Sequence, residues 1–117
     1  MLGLELLLAW QLTTSPDAFK EAQLLRGGWE ICTRLQSANY ASLSDSADVL
    51  ADAALSKCAD QELAFKAFLA RVKVTEGGRG FDDEHQVSIL GEQRRRLRDI
   101  AISTILDTRL IALRQKK

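Results

Sequence analysis

A single proline, Pro16, stands in this chain of 117 residues. Proline is the strongest interrupter of a helix interior, so nothing of that kind limits helix length from residue 17 onward. The apolar residues make use of that freedom. Ala18, Ala22, Leu25, Trp29, Cys32 and Gln36 follow at alternating steps of four and three, which puts them on one helix face. Leu24, Ile31 and Leu35 are expected to widen that face. Ser15-Pro16-Asp17 reads as the helix start: Ser15 caps, Pro16 needs no amide donor there, and Asp17 suits the positive end of the dipole. Gly27-Gly28 weakens the same helix by up to about 1 kcal/mol per glycine. The pair predicts a kink, or a close approach of a neighbouring helix beside Trp29.

Residues 39–46 break the pattern. Ser42, Ser44 and Ser46, with Asp45 and Asp48, supply capping chemistry for a second helix from about Ala47. Its stripe is Leu50, Ala54, Cys58, Phe65, Phe68, Leu69 and Val72, and it runs unbroken toward Gly77-Gly78-Arg79-Gly80, where glycines permit a turn. A third helix opens at the acids Asp82, Asp83 and Glu84 and continues to the chain end. Ile89, Leu90, Leu97, Ile100, Ala101, Ile105, Leu110 and Ile111 form its broad apolar face, and Glu92–Arg96 and Arg95–Asp99 are spaced for pairs within it. Apolar residues make up 46% and charged residues 27% of the chain, a globular balance, and an apolar set dominated by Ala and Leu favours helix over sheet. The expected fold is all-α: an antiparallel bundle of three long helices in one domain over 15–117, with or without a short helix before it.

Residues 1–14 form a separate apolar segment. Leu2 to Leu12 is too short for a bilayer, which takes about 20 residues. It resembles the apolar centre of a signal peptide but carries Glu5 and has neither a basic leader nor a clear cleavage site. A signal segment, a short core helix and a membrane-surface anchor are the three readings open to it.

Cys32 and Cys58 lie on either side of the Ser/Asp-rich break, each on the apolar face of its helix. With a turn near residue 45 the two sulfurs stand at equal heights, and a turn two or three residues earlier offsets them by roughly 7 Å. A disulfide needs α-carbons about 4.4–6.8 Å apart, so the bridge depends on where the chain turns. Two free, buried thiols are the other reading. Matched height, matched face and the export-like N-terminus favour the bridge and an oxidising compartment. Two cysteines and His85 do not make a tetrahedral zinc set, and no closely spaced redox pair exists.

Trp29-x-x-Cys32 followed by Ala53-Ala54-Leu55-x-x-Cys58 resembles small uncharacterised exported helical proteins of proteobacteria, over about residues 20–75. In those, a Trp/Tyr-x-x-Cys helix precedes an Ala-Ala-Leu-x-x-Cys helix. The resemblance implies an export signal, a cysteine bridge and a periplasmic or secreted location, and it brings no activity with it.

Charge is balanced overall but not along the chain. Residues 1–91 carry 8 basic against 13 acidic side chains, and residues 92–117 carry 8 against 3. Arg94, Arg95, Arg98, Arg109 and Arg114 are therefore the candidates for contact with an anionic partner, nucleic acid or anionic lipid. Because successive residues turn by 100°, Arg94-Arg95-Arg96 cannot form one flat patch, and no aromatic residue after Phe81 is available for base stacking. A solvated basic face is the plainer reading. The glycine cluster at 77–80 lacks the Gly-Lys-Ser/Thr ending of a phosphate loop, and the acids after it would repel phosphate. His85 has no nucleophile motif beside it. No cofactor is implied. The expected function is non-catalytic: a disulfide-stapled bundle of the cell envelope acting through an unidentified protein partner, with self-association expected from its long apolar faces. The alternative is a cytoplasmic binding module using its basic third helix.

Overall fold

Helix α1, Pro16–Tyr40, begins at the chain's one proline and runs 25 residues. The computed structural model describes residues 16–75 and 83–116. Helix α2 spans Ala47–Lys57, α3 Ala59–Thr75 and α4 Asp83–Gln115, and no strand occurs among the described residues. The expectations for residues 1–15, for the glycine turn at 77–80 and for Asp82 lie outside the described residues. Helix α1 packs against α2, α3 and α4, and α2 packs closely on α4 as well.

Capping explains where α2 starts. Ser46 is extended at φ −62°, ψ 153°, and its hydroxyl accepts from the Val49 amide at 3.4 Å. Its end was not visible in the sequence. The single helix expected over 47–75 is two helices, parted at Cys58, although neither proline nor glycine lies in that stretch. At the break the Cys58 amide donates to Leu55 O at 3.1 Å, and the Glu62 amide already returns to Cys58 O at 3.2 Å. Helix breaks have identifiable local causes. Here the residue at the break is the one tied sideways to α1.

The core has two parts. Around the tie, Trp29, Cys58, Phe65, Phe68, Leu69, Val72, Leu90 and Leu97 are buried together. The Trp29 and Phe65 ring centres stand 6.0 Å apart and tilted, and those of Phe65 and Phe68 stand 6.4 Å apart. Nearer the 41–46 loop, Ala41, Leu50, Ala51, Ala101 and Ile105 form a second cluster, where small side chains let α2 lie close on α4. The stripe expected from Leu50 to Val72 is buried throughout.

Two expectations for α1 need correction. Leu24, Ile31 and Leu35 do not widen the core face; they are 76%, 61% and 60% exposed. At 100° per residue they sit about 120–160° around the helix from Trp29, so a second apolar face exists. Nor do the glycines admit a neighbouring helix: a Cβ built at Gly27 or Gly28 meets nothing within 4 Å, and α1 continues through both. Leu110, Ile111 and Leu113 of α4 are also exposed.

Trp29→Ala empties the centre of the larger cluster and is expected to cost about 3–5 kcal/mol in urea unfolding. Gly28→Ala, which meets open space, is expected to raise stability by up to about 1 kcal/mol in the same assay.

Candidate interaction surface

Cys32 on α1 and Cys58 at the α2–α3 junction are joined as a disulfide, with α-carbons 5.9 Å apart. Cys58 is fully buried and Cys32 partly so. Helix α1 ends at Tyr40 and α2 starts at Ala47, so the chain turns close to the midpoint between the two cysteines, as equal heights require. The bridge fixes α1 against α2 and α3 at mid-length. The ridge of Leu24, Ile31 and Leu35 therefore rides on a helix held in place along its flank.

The candidate arginines separate into two groups. Arg94 presents Nε and Nη2 to the two carboxylate oxygens of Glu62 in a fork, the first at 3.1 Å, and that hydrogen bond raises the Arg94 pKa against a smaller opposing effect of burial. Arg98 reaches Asp52 at 2.9 Å, with Asp48 at 3.9 Å; its pKa is raised, first by the bond to Asp52. Arg109 is occupied differently. Its Nε donates to Ala41 O at 2.9 Å, and its Nη2 donates to Leu43 O at 2.7 Å and Asp45 O at 2.6 Å. One guanidinium thus gathers three carbonyls of the turn that follows α1, where helix ends leave acceptors unsatisfied. Arg95 and Arg114 are exposed. The structure does not bring these five residues to one patch: three of them bind the protein's own α1–α2 loop, α2 and α3.

A cation cluster that the sequence did not signal lies between α1 and α4. Arg96 donates to Glu30 Oε1, and Arg34 donates to Glu30 Oε2 at 3.3 Å, so Arg96 engages Glu30 of α1 where the spacing had suggested Glu92. Burial alone would raise the Glu30 pKa, but the bonds and charges of Arg96 and Arg34 outweigh it and hold the carboxyl low. Beside this bridge an open notch of about 320 Å³ is lined by Gln23, Arg26, Gly27, Glu30 and Arg96. Arg26 is half-buried. Burial pushes its pKa down and the like charge of Arg96 pushes it further, with Glu30 opposing. Two buried donors without a partner among the described residues, Trp29 Nε1 and Gln93 Nε2, lie one turn from Arg26 and Arg96 on the same helices.

Other features are plain. A cleft of about 520 Å³ beside the 41–46 loop is lined by Leu43, Arg109, Leu113 and Lys116 among others. His85 is exposed in the first turn of α4. Among the described residues no cluster of His, Cys, Asp and Glu could hold a metal ion, and no helix is long and apolar enough to cross a membrane. Compared with known protein families, with curated proteins and with solved structures, the chain matches none.

Arg109→Ala is expected to free the three loop carbonyls and cost about 2–4 kcal/mol, given that hydrogen bonds to charged groups contribute about 1.5–3 kcal/mol each and do not add fully. Faster amide exchange at residues 41–46 would register it. The lowered Glu30 pKa means that its stabilising contribution is complete above the ordinary carboxylate range and is lost as pH falls through the folded-state value. Glu30→Gln is therefore expected to flatten the acid limb of a stability-against-pH curve and leave the neutral-pH slope unchanged.

Proposed function

We propose that this chain is a non-catalytic, disulfide-stapled helical bundle of the cell envelope that acts by protein–protein contact. The observation that carries the reading is the exposed ridge Leu24–Ile31–Leu35 on a helix cross-linked along its flank. Large apolar side chains aligned along one face mark contact sites more often than solvent-facing surface. A bridge between two partly or wholly buried cysteines fits an oxidising compartment, as does the resemblance to exported proteobacterial proteins. In this reading α1 and α2–α3 form an antiparallel hairpin and α4 lies against it. The cross-helix pairs Glu21–Arg71, Cys32–Cys58, Glu62–Arg94 and Asp52–Arg98 support it, since one partner's number rises as the other's falls within each helix pairing.

The alternative, a cytoplasmic module whose basic helix engages nucleic acid or anionic lipid, draws little support from Arg94, Arg98 and Arg109, because their donors are already bound within the chain.

Alkylation mass analysis of protein taken from its native host tests the proposal. No alkyl group is expected before reduction and two after it; two before reduction would refute the exported reading. Cys32→Ser is expected to lower stability by about 3 kcal/mol through the chain entropy released when a loop of this size opens, measured against the oxidised protein by urea unfolding.

A further inference from the structure

We propose that the notch between α1 and α4 binds a phosphate-like oxyanion between Arg26 and Arg96. The notch holds about 320 Å³ and opens to solvent over Gly27, where an added Cβ would meet nothing within 4 Å. Its cations outnumber its anions. Arg26 and Arg96 line it beside one carboxylate, Glu30, and both oxygens of Glu30 are already taken, Oε1 by Arg96 and Oε2 by Arg34 from outside the notch.

Arg26 is the exception among the partly buried arginines. Arg98 has Asp52 and Arg109 has three carbonyls, whereas Arg26 makes no ion pair with any described residue. A guanidinium withdrawn from water, beside a like charge and without a hydrogen-bond acceptor, is unfavourable in the empty site. An anion in the notch reverses each of those terms. Planar guanidinium groups offer paired N–H donors that suit an oxyanion's geometry, and two of them facing one cavity can hold a tetrahedral ion from both sides. The Gln23 amide at the rim adds a neutral donor. Burial and the Arg96 charge, which depress the Arg26 pKa in the empty site, are what a bound anion would offset. The ion's source is either free phosphate or the phosphate of a lipid headgroup. The site goes beyond the protein-contact reading and stands independently of where the protein resides.

The test is a titration of the full oxidised chain with inorganic phosphate at low ionic strength, followed through the arginine Nε–H resonances. Saturable shifts at Arg26 and Arg96 are expected. Arg26→Gln is expected to weaken binding by about tenfold or more, the loss of one charge-assisted contact. It should also raise the unfolding midpoint without phosphate, because an unpaired, half-buried charge is removed. Gly27→Leu fills the opening and is expected to abolish the shifts while the helical amide spectrum is kept. Arg95→Gln, exposed elsewhere on α4, is expected to leave them unchanged. Equal affinity in Arg26→Gln and wild type, or an unsaturated drift of all arginine signals together, would overturn the proposal. Competition by phosphatidylglycerol vesicles supports the site with a lipid source, and saturable phosphate binding without such competition supports it with a soluble one.

Discussion

The cross-link between Cys32 and Cys58 sets the terms for the rest of the structure. It joins the middle of α1 to the junction of α2 and α3, and the largest buried side chains gather around it: Trp29, three residues before one cysteine, and Phe65, seven after the other. Covalent closure and apolar burial thus act at one place, so neither has to hold α1 against α2 and α3 alone. The break at Cys58 falls at the same tie. A continuous helix over residues 47–75 would have to keep one line along both α1 and α4. Parted at the bridge, the chain lets α2 lie on α4 with its alanines while α3 follows α1 with its phenylalanines.

Much of this was legible in the residues. The stripe from Leu50 to Val72 is buried as its spacing required, α2 begins behind the Ser46 cap, and the cysteines meet because the turn falls midway between them. What periodicity could not convey is how many faces of a helix find a neighbour. Leu24, Ile31 and Leu35 share helical spacing with the core stripe closely enough to look like its edge. Only the positions of α3 and α4 decide that the edge is left outside. Local propensity was equally silent about the break at Cys58, since Lys57 and Ala59 favour helix; what sets the residue apart is its bridge to Cys32, 26 residues away in α1.

The arginines show the same boundary between local and tertiary information. Spacing within α4 suggested pairs such as Glu92–Arg96, which are weak in any helix. The structure instead spends Arg94, Arg96 and Arg98 on carboxylates of three other helices. The basic run, read most plainly as a solvated face, places Arg94, Arg96 and Arg98 in bonds between elements. Arg26 gave no signal because it stands alone in sequence; its significance comes from Arg96, seventy positions away and brought alongside only by packing.

Helix α1 is where these constraints converge. Its inner face carries Trp29 and Cys32, one flank carries the Arg26–Glu30 notch, and its outer face carries the leucine and isoleucine ridge. Gly27 lies between the notch and the ridge and Gly28 at the ridge's far edge, both in the interior of a 25-residue helix. Two glycines there cost roughly 1–2 kcal/mol relative to alanine, and among the described residues nothing lies within 4 Å of a Cβ added at either. A bundle shaped by stability alone would fill both positions. The open backbone is instead accessible to an approaching group, an anion over Gly27 or an apolar side chain beside Leu24 and Ile31. The staple anchors α1 four and five residues beyond the glycines, in the same helix as the weakened stretch.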